Sequence, residues 1–572
     1  MRGVIALVLR RMRGPLILLI LTYAIAVLGF VLIPGEDAAG ERWRMDFFHA
    51  FYFVSFMATT IGFGEVPYVF TDAQRLWTSI SIYLTVIAWF YALGNIIALI
   101  QDPGFRQVVA HSRFRRSVRA ISEPFYLVCG YGDTGSLLVR ALAERGRRTT
   151  VIDIDPHRIN ELRIDDLPLF VPGLCGDANL TDNLLAAGLR HPCCAGVLAV
   201  TDDDRTNLQI AITSKLLTPA LPVLCRAETR ETAANMRSFG TDYVINPFVA
   251  FADNLLTSLR SPDLQRFENW LTAQPGTPLP EPASPPKGRW IICGFGRLGS
   301  AVQRYLGYAA VEVTVVGPRP PEDHLPYVRG TGTEAVTLRE AGVAEAAVVF
   351  AATRSDADNL SIAMTARELN PDVFLIARQN NRWSDAIFRA ARLDIVMTPS
   401  LIIATEIMAV LAAPLLREFL RRARHQRDEW AVELAKELRA INDGRTPDVW
   451  AVDIDDDSAP AVAAALTEGH RIDLAALLTD PRDRSQRQRC LTLMLVRNGE
   501  YLLRPAPEQE LRLGDRLLLT GSERVRNRLS WVLRNRHALR YVLTGEQLPD
   551  GWVWRWLQRR RQQQETRHAP GQ

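Results

Sequence analysis

Leu127-Val128-Cys129-Gly130-Tyr131-Gly132-Asp133-Thr134-Gly135 is an apolar run that breaks into G-x-G-x-x-G. The run predicts a strand, residues 136–144 a helix, and residues 149–152 a second strand ending at Asp153. Glycine at these three places allows a tight turn, a close approach of backbone to a pyrophosphate, and tight packing of helix on strand. The phosphates would rest on the helix N-terminus, where backbone N–H groups lack intrahelical partners. An acid about 20 residues past the loop is the group that holds ribose hydroxyls. Asp153 is the candidate, with Asp155 as its alternative. A lone glycine fingerprint would carry little weight, but strand, loop, helix and acid in this order make a Rossmann unit.

The same plan recurs at Ile291-Ile292-Cys293-Gly294-Phe295-Gly296-Arg297-Leu298-Gly299. Downstream, Ala199, Thr201, Asp204, Asn207, Arg226, Asp242 and Pro247 correspond at one constant offset to Ala351, Thr353, Asp356, Asn359, Arg378, Asp394 and Pro399. The chain is therefore internally duplicated, with the Pro-rich residues 275–286 as the linker between copies. The copies differ at the ribose position, where Gly317 stands in place of Asp153. Gly294, Gly296, Arg297 and Gly299 then form the weaker of two nucleotide-like sites. Arg297 and Arg319 could serve a phosphate there; plain solvation is the other reading.

The chain has 572 residues, 48% hydrophobic and 23% charged, which excludes a single small domain, a disordered chain and a chain made mostly of membrane spans. A net charge of +4 gives no case for nucleic acid as a partner. All 7 cysteines lie beyond residue 120 and form no C-x-x-C pair, as expected of reduced thiols in a cytosolic compartment. The vicinal Cys193 and Cys194 could be a redox sensor or, more simply, small buried hydrophobes. Lys215, Lys287 and Lys436 are the only lysines among many arginines, a bias that points to a GC-rich bacterial genome.

Averages hide segregation. Residues 15–33 and 76–100 are apolar runs long enough to cross a hydrocarbon core of about 30 Å. Four arginines precede the first, and five, among them Arg106 and Arg119, follow the second, which places both flanks in the cytoplasm. The connection between them carries six acids against three arginines, consistent with the outer side. Within it, residues 46–58 are too short to span and run straight into Thr59-Thr60-Ile61-Gly62-Phe63-Gly64-Glu65. Non-helical backbone at membrane depth is tolerated where it is buried in protein or lines a water-filled path, so this stretch predicts a pore lining.

Here the sequence resembles the potassium-channel family, whose selectivity filter reads T-V-G-Y-G-D and stands here as Thr60-Ile61-Gly62-Phe63-Gly64-Glu65, with Thr59 before it. The resemblance implies K⁺ coordination by oxygens of Thr60, Ile61, Gly62 and Phe63, and a homotetramer, since each chain supplies one filter strand. Phe63 replaces the commoner Tyr and Glu65 the usual Asp. Gly94 in the second run is a candidate gate hinge, with close helix packing as its alternative.

A pore followed by two Rossmann units resembles channels with tandem RCK (TrkA-N-like) domains, and the first copy carries their Gly176-Asp177 step. The resemblance implies an α/β fold with an N-terminal α-helical membrane pore, two doubly wound parallel-sheet domains and a C-terminal α+β subdomain. The expected layout is a basic N-terminus (1–14), a pore module (15–100, filter 59–64), a linker (101–123), the first RCK domain (124–262), a helix end and linker (263–288), the second RCK domain (289–445), the C-terminal subdomain (446–545) and a basic tail (546–572). Gly130, Tyr131, Gly132, Asp133, Thr134, Gly135, Asp153, Asp155 and Asp177 are the expected nucleotide contacts, with NAD(H) or an adenine nucleotide as ligand. Asp202, Asp203 and Asp204, or Asp453 with Asp455, Asp456 and Asp457, could hold Ca²⁺, although solvated loops explain both clusters as well. Trp552, Trp554, Arg555, Trp556, Arg559, Arg560 and Arg561 could rest on an anionic surface or pack on a domain.

These readings converge on a nucleotide-gated potassium channel in the bacterial inner membrane, multi-pass, embedded in the lipid bilayer and with both termini cytoplasmic. A membrane-anchored NAD-dependent oxidoreductase lacks an evident catalytic motif, so no enzyme is expected. A gating subunit for a separate K⁺ transporter is disfavoured because the chain carries its own filter.

Overall fold

The computed structural model describes residues 2–546 apart from 274, 280, 282, 322 and 323; the Trp- and Arg-rich tail from Trp552 lies outside the described residues. The chain divides into two compact units, Met1–Ser122 and Glu123–Gln572.

In the first unit, two helices are long and apolar enough to cross a membrane, Arg11–Leu32 within the helix Arg2–Leu32, and Asp72–Gln101. Both exceed the expected runs, because flanking polar residues continue the helix beyond the apolar stretch. A hairpin of Pro34–Glu36 with Arg42–Arg44 and the short helix Phe47–Ala58 lie between them. Asp46 caps that short helix by accepting from His49 N at 2.9 Å. Its inner side packs into an aromatic core of Phe30, Phe53, Phe56 and Phe70. The two spans meet at Gly29, where a Cβ would sit 2.0 Å from Trp77, whose indole N–H donates to Ala26 O at 3.0 Å. Expected as a linker, residues 101–123 are mostly a fourth helix, Pro103–Arg119. The break comes at Asp102, whose carboxylate caps the new helix at Phe105 N and pairs with Arg11 at 2.7 Å.

The second unit contains two six-stranded, all-parallel sheets with one topology. Across the first, the strands are Gly173–Cys175, Arg148–Asp153, Phe125–Cys129, Cys194–Ala199, Val223–Arg226 and Tyr243–Ile245. Across the second they are Tyr327–Arg329, Val313–Gly317, Trp290–Cys293, Val348–Ala351, Phe374–Arg378 and Ile395–Met397. In both, the first strand of the chain lies at the switch point of the doubly wound order, so the glycine loop leaves the sheet where ligands bind in such folds.

One core of the second copy is made of its own residues alone, but each copy also completes a core of the other. The helix Pro247–Arg260, which ends the first copy, buries Phe248, Phe251, Ala252, Leu255 and Leu259 among Leu298, Val302 and Leu306 of the second. In return the helix Pro399–Ala412 of the second copy buries Ile403, Ile407 and Met408 among Leu138, Val139 and Leu142 of the first. Pro399–Ala412 and the following Pro414–Ala423 are apolar enough together to resemble a span, but they bend by 110° and their apolar faces fill these cores.

A four-stranded antiparallel sheet follows, in the order Asp448–Asp453, Arg516–Gly521, Cys490–Arg497, Glu500–Leu503. Both faces are covered: Trp450, Val452, Leu517 and Leu519 enter one core and Val449, Leu493 and Leu518 the other, the period-2 alternation of a strand. The turn at Gly514 (φ 84°) brings Asp515 into full burial, where Arg497 grips it through two nitrogens at 2.8 and 2.7 Å.

Candidate functional sites

In the first unit, the helix Phe47–Ala58 ends at Thr59, and the chain turns into Thr60, Gly62 and Gly64 at φ of 62°, 67° and 98°. These left-handed residues alternate with Ile61 and Phe63. Glycine occupies that region freely, but a β-branched threonine rarely does, so Thr60 is held there by its surroundings. Ile61 and Phe63 are 60% and 67% exposed in the single chain, an unusual state for large apolar side chains in so short a segment. The segment is fixed at its far end by Glu65, whose carboxylate accepts from Phe70 N at 2.8 Å and from Arg75 Nε at 2.9 Å. This anchor escaped the sequence reading, because the arginine is ten residues away on the next helix. The helix runs unbroken through Gly94, where a Cβ would meet nothing within 4 Å, so packing within the chain does not require glycine there.

In the second unit, the glycine loops adopt the expected form. Gly130 and Gly294 both have φ of 99°, and a Cβ on Gly135 or Gly299 would lie 1.9 or 2.2 Å from the carbonyl oxygen of Gly130 or Gly294. The helices Asp133–Glu144 and Arg297–Gly307 begin at Gly132 and Gly296 with no side-chain cap, leaving their first N–H groups open.

Around the first loop, Asp153 Oδ2 accepts from Tyr131 N at 2.5 Å, while Asp155 caps the helix Pro156–Ile164 at His157 N. Asp153 thus faces the glycine loop, and Asp155 serves the next helix. Thr134 is buried, and Asp177 closes its own turn on Asn179 N. Tyr131 belongs to the loop through its backbone. Its ring is buried in the domain core and its hydroxyl donates to Asp165 at 2.6 Å, so only its backbone borders the cleft. Burial, then the Asp165 carboxylate, push its phenol well above the ordinary tyrosine range.

The acid run 202–204 is engaged in structural bonds. Asp202 pairs with Arg226, Asp203 caps the helix Asp204–Leu217 at Thr206, and Asp204 accepts from Glu228 N and Thr229 N. The three carboxylates serve separate structural bonds and do not converge. In the C-terminal subdomain, Asp453 pairs with Arg516 and Asp455 closes a turn on Asp457 N and Ser458 N. Among the described residues no group of three or more His, Cys, Asp or Glu side chains is placed to hold a metal ion.

Polar contacts join the two copies beside the glycine loops. Glu228, at the end of the first sheet, pairs with Arg226 and also with Arg297 of the second loop at 2.6 Å. Burial depresses the Arg226 guanidinium, but Glu228 and Asp202 outweigh it and hold it above the ordinary arginine value. On the opposite side, Arg382 N of the second copy reaches Asp133 of the first loop at 3.3 Å.

Comparison with known proteins agrees with this division. Residues 126–247 and 290–399 match the TrkA-N domain, and residues 17–102 match the ion-channel family. Potassium channel protein 1 of Methanocaldococcus jannaschii is 26% identical over 234 residues, which cover 41% of this chain and 68% of that protein. The voltage-gated potassium channel Kch of Escherichia coli is 23% identical over 204 residues, 35% of this chain and 46% of that protein. Among solved structures, the GsuK channel is 16% identical, aligned over 95% of this chain and 100% of that one with a TM-score of 0.48.

Proposed function

We propose, for a chain that belongs with the ion channels carrying TrkA-N domains, that it is a potassium channel in which four copies form one pore and a nucleotide bound in the first cleft sets its opening. The observation that carries this reading is the Thr59–Glu65 segment. It follows a helix too short to span, lies inside the residues that match the ion-channel family, and alternates left-handed residues at Thr60, Gly62 and Gly64. Such alternation turns successive carbonyl oxygens towards one side, where they can replace the hydration shell of K⁺. One strand supplies a quarter of such a ring. Neighbouring copies would cover the apolar side chains that a single chain leaves in the open, Ile61 and Phe63 included.

For gating, the first cleft offers open N–H groups at the start of the helix Asp133–Glu144 and a carboxylate, Asp153, against the loop. These suit the phosphates and the ribose hydroxyls of a nucleotide such as NAD(H) or an adenine nucleotide. To gate, the ligand must bind open and closed states unequally, with about 1–3 kcal/mol of coupling per site being typical. Nothing in this scheme consumes the nucleotide.

Recording from the purified chain in lipid tests the reading. K⁺-selective current that changes when nucleotide is added is expected. Gly62→Ala should abolish selective current, since a left-handed φ of 67° costs an alanine about 1–2 kcal/mol. Asp153→Ala should keep the current and lose the nucleotide response. Absence of K⁺-selective current under every nucleotide condition would overturn the channel reading, and nucleotide turnover would overturn the sensor reading.

A further inference from the structure

The duplication has inverted the charge of the second cleft. Counting from matched strand ends, Asp133, Asp153, Asp155, Asp177 and Asp202 of the first copy fall at Arg297, Gly317, Arg319, Thr331 and Arg354 of the second. Five carboxylates are replaced by three guanidinium groups and two neutral residues. The replacements are not scattered: all five line one cleft of about 350 Å³ around the second glycine loop, together with Arg378 and a single acid, Asp358.

Arg378 has less negative charge around it than its counterpart, for Glu228 reaches this cleft from the first copy but is already paired with Arg226 and Arg297. The counterpart, Arg226, lies between two carboxylates, Asp202 and Glu228. At the matching positions Arg378 has Arg354 and Asn380. Its Nε is buried with no hydrogen-bond partner, and its guanidinium lies over the Phe248 ring, 5.0 Å from the centroid. Burial first, and then the neighbouring Arg297 and Arg354, lower its proton affinity despite the pull of Glu228. Arg319 and Arg354 have no ion-pair or hydrogen-bond partner among the described residues. An anion placed among these groups would relieve the crowding and satisfy the buried donor.

We propose that the second cleft binds a nucleotide carrying a phosphate monoester on its ribose, of the 2′-phosphorylated dinucleotide class. The pyrophosphate would rest on the open N-terminus of the helix Arg297–Gly307, as in the first cleft. Where the first copy has a carboxylate for a free ribose 2′-hydroxyl, the second has Gly317, which cannot make that bond, and Arg319 two residues on, the residue type that accommodates a 2′-phosphate. The two clefts of one chain then read two chemically different nucleotides. This inference goes beyond the channel reading and holds whatever ion the pore passes.

Calorimetry on the full-length chain in detergent tests it directly, with NADP⁺, NAD⁺, ATP and inorganic tripolyphosphate as ligands. NADP⁺ is expected to bind a site that Asp153→Ala leaves intact, at least about tenfold tighter there than NAD⁺. Arg319→Asp should remove that preference, and Arg354→Gln, a milder change that conserves size, should weaken NADP⁺ binding in the same direction. Retained Asp153-dependent NAD⁺ binding and an unchanged melting temperature would show that each variant is folded. Equal affinity for NADP⁺ and NAD⁺ at this site, or NADP⁺ binding unaffected by both arginine variants, would overturn the proposal. Tripolyphosphate binding as tightly as NADP⁺ would overturn the nucleotide assignment in favour of an inorganic anion. Because the readout is binding and not current, failure here is distinct from failure of the pore reading.

Discussion

Two side-chain pairs show how much a single residue can hold. Arg75 grips Glu65 and so ties the end of the Thr59–Glu65 segment to the start of the second span. Arg75→Gln should leave K⁺ selectivity unchanged, because no group within the segment is altered, but single-channel records should show faster decline of current during sustained opening. Deep in the C-terminal subdomain, Asp515 is 1% exposed at its side chain against Arg497 at 21%. Removing one partner leaves the other poorly compensated, so Asp515→Ala should destabilise this subdomain by about 3 kcal/mol, read as an earlier melting transition. Taken locally, residues 511–517 read only as a strand and a turn. The ion pair depends on Arg497, on another strand, and adjacency across a sheet leaves no local mark in a sequence.

At the scale of elements, the packed helix Pro399–Ala412 makes the sharpest demand. Ile407 is fully buried among residues of the first copy. Ile407→Ala should cost about 2–5 kcal/mol, and because the helix it touches carries the first glycine loop, nucleotide binding in the first cleft should weaken as well, measurable by thermal shift with and without NAD⁺. In the membrane unit, Gly29→Val would drive a branched side chain into Trp77, and loss of folded, detergent-stable protein on size exclusion is the expected result. Strands, glycine loops and spans were legible because each follows from a local pattern: period-2 or continuous apolar runs, G-x-G-x-x-G, and charge-free stretches. The identity of the helix that covers each sheet was not. Pro247–Arg260 is amphipathic in the ordinary way and Pro399–Ala412 is apolar nearly all round, and neither pattern specifies what the buried face packs against. Gly29 was equally silent, since its reason is an indole 48 positions away in the chain.

For the whole molecule, the exchanged helices make each Rossmann copy half of a pair. A fragment comprising residues 123–280 would expose the apolar face of Pro247–Arg260, with Phe248, Phe251 and Leu255 at its centre. Such a fragment should form a homodimer by docking that helix on the glycine-loop helix of a second copy, and light scattering would detect it; a folded monomer would contradict the pairing. The duplication itself was plain from the constant offset, but an offset says nothing of how two copies pack. Reciprocal docking depends on two surfaces that face each other only in three dimensions.

That covalent pairing has a consequence for how the molecule can change over generations. In a dimer of identical subunits every substitution appears twice, so both clefts must drift together. Here the Pro-rich connection keeps the two halves at high effective concentration, and their association does not depend on their remaining alike. Glu228 can stay acidic while its counterpart became Asn380, and Asp155 can stay while its counterpart became Arg319. The tether therefore released the molecule from symmetry, allowing one receptor to be copied and the copy to acquire a different appetite.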